Sequence, residues 1–211
     1  MVGSGLDSYQ NLRPNNLVGE LIEHIEETLP KFKDSDDFEN ILIQKENENQ
    51  HSEAFCNYMT FSQTPLKFNF MREKSQKANH SVDFGIYLKG GILLFTIEAK
   101  VLPIPKSKKR MEYEYVYGKG GGIARFKEED HGVDNKNRPL LENGMIAYIK
   151  EGEYSEWLEK INFWITEAKW PVAESLKEVY IKDIARLQSQ HTTLNGSKVS
   201  LHHFWVDVSK S

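Results

Sequence analysis

The stretch HSVDFGIYLKGGILLFTIEAKV, residues 80–101, decides the fold of this chain. It is rich in β-branched and aromatic residues on both sides of Gly90-Gly91, and such a glycine pair is typical of a tight hairpin turn. The pattern therefore predicts two antiparallel strands, from Val82 to Leu88 and from Ile92 to Ala99. Three charged residues interrupt the apolar run, and they are Asp83, Glu98 and Lys100.

The register of the predicted hairpin brings these charges together. If Gly90-Gly91 forms a two-residue loop, Asp83 lies directly opposite Glu98, where Cβ atoms are about 4.5–5.5 Å apart. Lys100 follows Glu98 by two residues and projects from the same face. Carboxylates that face one another destabilise a sheet, and a hard divalent metal ion bound by their oxygens is the natural compensating cation. A longer loop would shift this register.

Length and composition are typical of a globular protein without a membrane span. The 211 residues suffice for one domain with a real core, since 39% of them are hydrophobic. No apolar run approaches the roughly 20 residues of a membrane helix, and the N-terminus lacks the pattern of a signal peptide. Cys56 is the one cysteine, which excludes an internal disulfide and favours a reducing, cytoplasmic location. The net charge of −4 counts against broad non-specific binding of nucleic acid.

Elsewhere the chain alternates between helical and extended patterns. Helices are predicted from Leu17 to Leu29 (ended by Pro30), from Ser52 to Met59, along an apolar stripe from Trp157 to Ala168, and from Ala173 to Leu187. Further strands are predicted over Phe68–Glu73, Gly144–Lys150 and Leu201–Val208. This order of elements predicts the α/β class, with a central mixed β-sheet flanked by helices.

The spacing of Asp83, Glu98 and Lys100 resembles that of the PD-(D/E)XK nuclease superfamily, which has the restriction-endonuclease-like fold. In that family an Asp near the start of one strand is followed, after a hairpin, by Glu-x-Lys on the next strand. The resemblance covers residues 52–150, with Ser81-Val82 where the family usually has a Pro before the Asp. It implies one domain with an N-terminal helical arm over residues 1–50, a nuclease core over 51–150, and C-terminal helices with a final strand over 151–211.

The resemblance also implies a site that cleaves phosphodiester bonds. Asp83 and Glu98 would bind Mg²⁺, or Mn²⁺ in its place, and the ion would lower the pKa of a bound water and offset charge on the phosphate. Lys100 would orient or deprotonate that water, or stabilise the transition state. The family tends to place a Glu on the helix before the first core strand, and Glu53 is the first candidate and Glu20 the second. A salt bridge from Lys100 to Glu98 or Asp83 is the structural alternative.

Basic residues after the hairpin are candidates for contacts with nucleic acid. The densest basic cluster, residues 106–110, suits a DNA-contacting loop or a solvated turn equally well. The glycines at 118 and 120–122 precede a short helix predicted to begin near Ile123, which suits a phosphate, although a flexible loop is the simpler interpretation. The predicted contacts are Lys106, Lys108, Lys109, Arg110, Lys119, Arg125 and Lys127.

Together these patterns favour a metal-dependent deoxyribonuclease, and the family suggests a role in restriction or in defence against foreign DNA. The acidic balance suggests that a homodimer or a partner subunit helps to hold the DNA substrate. Two alternatives stay open: a non-catalytic nuclease-fold subunit that binds nucleic acid or a partner protein, and an RNA nuclease. Zinc binding is not favoured, because His131, His191, His202 and His203 lack the spacing of zinc ligands. The sequence contains no Gly-x-Ser-x-Gly motif, so no motif supports a serine nucleophile.

Overall fold

The computed structural model describes residues 14–36, 38, 48–63, 65–76, 80–104, 111–118 and 120–209. The helices α1 (Pro14–Lys33) and α2 (Glu48–Phe61) precede the strands β1 (Phe68–Ser75), β2 (Ser81–Leu88) and β3 (Ile92–Leu102). A 3-10 helix (Glu112–Tyr115) and the short α3 (Gly122–Lys127) lead to β4 (Glu142–Ile149). The chain continues through α4 (Tyr154–Glu167), a 3-10 turn (Val172–Glu174), β5 (Lys177–Ile181), β6 (Ile184–Thr192) and β7 (Lys198–Asp207).

The seven described strands form one mixed sheet in the order β1-β2-β3-β4-β7-β6-β5. The central pairs β3–β4 and β4–β7 are parallel, and the four outer pairs are antiparallel. The predicted α/β class with a mixed sheet flanked by helices is thus confirmed. None of the described helices is both long and apolar enough to cross a bilayer.

Helices cover both faces of the sheet, and each face has its own core. On the first face, α1 and α2 pack against strand residues such as Phe84 and Ile97. On the second face, α3 and α4 pack against strand residues such as Met145 and Trp205. We call these the α1 face and the α3 face. Because side chains alternate along a strand, β3 directs Ile97, Ala99 and Val101 to the α1 face. Glu98 and Lys100, which lie between them, project to the α3 face.

The loop of the β2–β3 hairpin is one residue longer than predicted. Leu88 pairs with Ile92, and the Gly91 N–H donates to the Leu88 carbonyl at 3.0 Å, so Lys89, Gly90 and Gly91 form the turn. Both glycines have positive φ angles, 101° and 82°, which only glycine adopts without strain. A bulge near Ile86 takes up the extra residue, and Phe84 then pairs with Ile97. The predicted register is therefore confirmed at the Phe84–Ile97 pair, next to Asp83 and Glu98, whereas beside the turn the pairing is shifted by one residue.

The helix predicted from Ala173 to Leu187 is wrong, because this segment forms a 3-10 turn and most of the β5–β6 hairpin. Ile184, Ala185 and Leu187 are all buried, since β6 lies inside the sheet and both of its faces are covered. Burial on both faces hides the alternation that identifies a strand, and the apolar positions matched a helical period by coincidence. Residues 151–209 consequently contain one α-helix and three strands, instead of helices and a single strand.

The first helix does not end at Pro30, as the sequence predicted, but continues to Lys33. A proline inside a helix loses one backbone hydrogen bond and is normally unfavourable. Here the last turn carries Phe32, which is fully buried with ring centroids 5.2 Å from Phe38 and 6.0 Å from Phe55. Burial of this aromatic side chain offsets the cost of the proline.

Candidate active site

Two of the three charged residues of the hairpin, Glu98 and Lys100, meet on the α3 face. Glu98 and Lys100 alternate with Ile97 and Ala99, which belong to the core on the opposite face. Asp83 stands across from Glu98 on β2, beside the Phe84–Ile97 pair. The local sequence therefore brings Glu98 and Lys100 together in one patch, with Asp83 on the neighbouring strand beside them.

The centre of this patch is a buried ion pair between Lys100 and Glu98. Nζ of Lys100 donates to Oε1 of Glu98 at 2.6 Å, and only 5% of Lys100 and 3% of Glu98 is exposed. A second cation reaches the same oxygen from α3, since Nη1 of Arg125 donates to Oε1 at 3.3 Å. Hydrogen bonds between buried, oppositely charged groups are among the strongest in proteins, so the orientation of Glu98 is firmly held.

Asp83 leans over the backbone of β3. Its Oδ2 accepts the N–H of Ala99 at 2.6 Å, a short charge-assisted hydrogen bond. Asp83 is only partly buried, and about a quarter of the Arg125 side chain is exposed as well. These two side chains are therefore more accessible to solvent than Glu98 and Lys100.

The charges around Glu98 keep it ionised. Burial by itself raises the pKa of this carboxyl, but Lys100 and the neighbouring His131 outweigh burial and hold the pKa well below its usual range. Glu98 is thus ionised and already paired with two cationic side chains of the protein. A metal ion would compete with Lys100 and Arg125 for the oxygens of Glu98.

The structure does not bring Glu53 or Glu20 to this patch. Glu53 lies on α2, and its side chain is 64% exposed and pairs with Arg72 of β1 at 3.3 Å. Arg72 shares the α1 face with Phe68 and Phe70, so Glu53 and Glu98 lie on opposite faces of the sheet. Glu20, on α1, forms an ion pair with Lys67. That a Glu lies on a helix before β1 does not determine which face of the sheet its side chain approaches.

The basic residues that were predicted to contact nucleic acid divide into three groups. Lys106, Lys108, Lys109, Arg110 and Lys119 lie outside the described residues. Arg125 joins the patch through Glu98, as described above. Lys127, two residues later on α3, instead forms an ion pair with Glu174 and lies 4.5 Å from the centre of the Trp170 ring. Lys127 therefore anchors α3 within the fold.

The glycine-rich segment before α3 is required by packing. A Cβ atom on Gly121 would lie 2.5 Å from the backbone carbon of Tyr117, and one on Gly122 would lie 2.6 Å from Cε of Met145. Both distances are far shorter than van der Waals contact. The Tyr117 backbone cannot give way easily, so Gly121 excludes a side chain, whereas the flexible end of Met145 could shift for one at Gly122. α3 has six residues, too few to make its N-terminus a phosphate site by itself. Close approach of the Tyr117 backbone accounts for the glycine at position 121.

Sequence reasoning missed His131 as part of the patch. The ring is fully buried, and its Nδ1 lies 3.4 Å from Oε2 of Glu98. Neither ring nitrogen has a hydrogen-bond partner among the described residues, and neither does Nε of Arg125. Buried polar atoms without a partner cost free energy and often mark functional sites. Nothing in the local sequence pattern pointed to His131, because it lies on a loop 33 positions after Glu98.

A second polar cluster on the α3 face is fully buried. Glu174 contacts Nδ1 of His191 at 3.1 Å, and Nε2 of His191 lies 2.7 Å from Oγ of Ser189. The chain continues from Ser189 to Nε2 of His203 at 2.8 Å, and from Nδ1 of His203 to the Tyr115 hydroxyl at 2.8 Å. Although Ser189, His191 and Glu174 have the order of a catalytic triad, all three are buried and no substrate can reach the hydroxyl. The cluster supports α3 through Lys127.

The donor chemistry of the patch fits a magnesium ion. Among the described residues, no three His, Cys, Asp or Glu side chains stand close enough to hold a metal ion by themselves. Mg²⁺ typically uses one or two carboxylates, keeps several waters and takes further oxygens from a substrate phosphate. Asp83 and Glu98 can supply those two carboxylates.

Comparison of the chain with protein-family models, with curated proteins and with solved structures gave no match.

Proposed function

We propose that this chain is a metal-dependent nuclease that hydrolyses phosphodiester bonds in DNA. The observation that carries the proposal is the buried Lys100–Glu98 contact of 2.6 Å, with Asp83 beside it on the neighbouring strand. A surface salt bridge would leave these charges exposed, whereas here 3% of Glu98 and 5% of Lys100 is exposed. Burial of ionised groups is costly, and sites that need them for chemistry are where such groups are most often found.

The position of the patch in the fold supports the restriction-endonuclease-like fold that the sequence resembles. Asp83 is the third residue of β2, and Glu98 and Lys100 are near the end of β3, after the hairpin. The hairpin belongs to a mixed sheet with helices on both faces. This is the arrangement in which the PD-(D/E)XK family places its Asp and its Glu-x-Lys.

The charges of the patch suit a divalent cation and a phosphate. The carboxylates of Asp83 and Glu98 are balanced by Lys100 and Arg125, so the four side chains have no net charge together. Asp83 and Glu98 would hold Mg²⁺ or Mn²⁺, which would supply an activated water and positive charge beside the phosphate. Added positive charge in a partly buried site attracts a phosphodiester strongly.

Lys100 and Arg125 have separate roles in this proposal. Lys100 lies deeper than Arg125 and is held by Glu98, so its ammonium group would orient the attacking water, whereas only its neutral amine form would take up a proton from that water. Arg125 is more exposed and retains donors beyond the one directed at Glu98, so its guanidinium would bind a phosphate oxygen. Both side chains would stabilise the negative charge that develops on the phosphate.

A plasmid-nicking assay tests the proposal. Purified protein is incubated with supercoiled plasmid and Mg²⁺ or Mn²⁺, with EDTA as the metal-free control. Asp83→Ala and Lys100→Ala should each lower the nicking rate by about 100-fold or more. The matched control is Lys182→Ala with Asp183→Ala, which removes the same two charges from an exposed turn at the other end of the sheet. Equal nicking by wild type and the site variants would exclude this site.

A non-catalytic subunit that binds nucleic acid or a partner protein is the second candidate function. One observation favours it: Lys100 and Arg125 already occupy Oε1 of Glu98, as in a structural ion pair. Failure to nick plasmid with any metal, together with DNA binding that Arg125→Ala weakens, would support this candidate. Offering RNA in the same assay separates an RNA nuclease from a DNA nuclease.

The cellular setting that we propose follows the family and the overall charge. A small nuclease of this kind would act in the cytoplasm, in restriction or in defence against foreign DNA. With a net charge of −4, it would hold DNA with the help of a second copy of itself or a partner subunit.

A further inference from the structure

His131 is the polar residue of the patch whose surroundings are least explained. Its side chain is fully buried, yet neither of its ring nitrogens has a hydrogen-bond partner among the described residues. The ring is fixed in place: its centroid lies 5.7 Å from that of Phe126 in an edge-to-face contact, and the backbone N–H of His131 donates to the Arg125 carbonyl at 3.1 Å. A fixed, buried imidazole beside a carboxylate requires a reason.

The two oxygens of Glu98 have different surroundings. Oε1 accepts from Lys100 and Arg125, whereas Oε2 faces Nδ1 of His131 at 3.4 Å. This distance is a few tenths of an ångström longer than an N–H···O hydrogen bond, so a small shift of either side chain would complete one. His131 thus stands where Oε2 needs a donor.

Physical chemistry decides which ring nitrogen carries the proton. With the proton on Nδ1, an N–H group faces the carboxylate, and the atom left without a partner is an acceptor, Nε2. With the proton on Nε2, a buried donor has no partner and the lone pair of Nδ1 points at the lone pairs of Oε2. The first tautomer replaces a repulsive contact by an attractive one and avoids an unpaired N–H group.

We propose that His131 is a positioning residue of the active site, which donates from Nδ1 to Oε2 of Glu98 and so fixes the orientation of this carboxylate. Resting on the nuclease function proposed above, the inference adds a residue outside the Asp and Glu-x-Lys motif. Glu98 is held at Oε2 by His131, so that Oε1 can exchange Lys100 and Arg125 for another cation without rotation of the carboxylate. Hydrogen bonds of this kind orient metal-binding carboxylates and increase metal affinity.

The tautomer of His131 is measured directly by long-range ¹H–¹⁵N NMR of the histidine rings in the intact protein. The expected spectrum assigns the proton of the neutral ring to Nδ1, and the assignment is checked by loss of the signal in His131→Asn. A neutral ring protonated at Nε2 would overturn the proposal. This measurement needs neither metal nor DNA, so its outcome does not depend on nuclease activity.

Substitution of His131 tests the consequence for the metal site. The amide nitrogen of Asn can occupy the position of Nδ1, whereas that of Gln reaches the position of Nε2. We expect His131→Leu and His131→Gln to weaken Mn²⁺ binding, measured by calorimetric titration, by about 10–100-fold, and His131→Asn to stay close to wild type. Circular dichroism and thermal unfolding identify any variant that does not fold.

The matched control is His80→Asn, which alters a partly exposed histidine whose ring centroid is 6.4 Å from that of His131. It should leave Mn²⁺ affinity unchanged. Equal losses in the Asn and Gln variants would show that a particular nitrogen is not needed and would overturn the positioning role. If the wild type neither binds Mn²⁺ nor cuts DNA but shows the Nδ1–H tautomer, the proposed function fails while the hydrogen bond from His131 to Glu98 stands.

Discussion

Lys100 and Glu98, two residues apart on β3, form an ion pair of 2.6 Å that is almost entirely removed from solvent. Residues with this spacing project from the same face of a strand, so the pair needs no long-range folding event to form. Its burial depends on α3, which carries Arg125, and on the following loop, which carries His131; both lie over the pair on the α3 face. The pair therefore links the local sequence of one strand to the stability of the whole α3 face.

Breaking this pair should destabilise the fold, whereas replacing it with apolar residues should not. Glu98→Gln removes the charge that balances Lys100 in a buried position, and we expect a loss of about 3 kcal/mol in the free energy of unfolding. The double variant Glu98→Leu with Lys100→Met keeps a similar volume without charges and should recover most of that loss. Urea titrations measure the free energy of unfolding of both variants, provided that the dependence of this free energy on urea concentration (the m value) is unchanged. The double variant should be stable yet inactive, and a fully stable Glu98→Gln would contradict this prediction.

Arg125 and Lys127, two residues apart on α3, should behave differently towards DNA. Arg125→Ala should weaken DNA binding and reduce the slope of log affinity against log salt by about 0.9, because one phosphate contact is lost. Lys127→Ala should leave that slope unchanged but lower stability, since Lys127 pairs with Glu174 and contacts Trp170. Fluorescence anisotropy in EDTA measures binding without cleavage. A similar change of slope in both variants would show that Lys127 also reaches the DNA backbone.

Two glycine substitutions should change stability in opposite directions. Gly121→Ala forces a Cβ atom to within 2.5 Å of the Tyr117 backbone and should cost about 1–3 kcal/mol. Gly19→Ala, inside α1, meets no atom within 4 Å and should stabilise the protein by about 0.5–1 kcal/mol. Chemical denaturation of the two variants in parallel checks both signs. A neutral Gly121→Ala would mean that the loop before α3 rearranges freely.

Stability should fall as the pH drops below about 6.5. Burial holds the pKa of His191, His202 and His203 below the usual histidine value of 6.5, and it lowers the pKa of His202 to about 3. Burial raises the pKa of Glu174, but hydrogen bonds from His191, Lys127 and the Thr192 N–H lower it to about 2, against 4.5. In each case the unfolded chain binds more protons than the folded one, so protonation favours unfolding.

The neutral histidines therefore make their full contribution to the free energy of unfolding above pH 6.5. This contribution declines as the pH falls from 6.5 towards their lowered pKa values. The Glu174 contribution, about 3 kcal/mol, is complete above pH 4.5 and declines towards pH 2. Urea titrations at pH 8, 6 and 4.5 measure the first decline, and His202→Gln should make it less steep. Equal stability at pH 8 and pH 4.5 would contradict the assignment of these histidines as neutral.

Part of the site was predictable because its determinants are local. The glycine turn and the apolar alternation predicted β2 and β3, and the two-residue spacing of Glu98 and Lys100 predicted their shared face. The loop was one residue longer than predicted, yet the register survived, because a bulge near Ile86 takes up the extra residue. A slip by one position would turn Phe84 and Ile86 away from the core of the α1 face, so the packing of that core favours this register.

Other parts were not predictable from local patterns. Burial on both faces hid the strand character of β6, and the positions of its apolar residues imitated a helix. Glu53 lies on a helix before β1, as the family resemblance suggested, but α2 packs on the α1 face and directs this side chain towards Arg72. The face on which a helix packs depends on contacts that are distant in sequence, and no single-helix pattern records it.

The sequence by itself determined the hairpin, the α/β class and the shared face of Glu98 and Lys100, because turn chemistry and alternation act between near neighbours. Only the tertiary structure decided that Arg125 and His131 lie beside Glu98. It also decided that Lys127 forms an ion pair with Glu174 and that Glu53 lies on the opposite face of the sheet from Glu98. The physical reason is the packing of α2 and α3 on opposite faces of the sheet. Side chains remote in sequence become neighbours only when a core forms between them, and the burial of that core selects which charges meet.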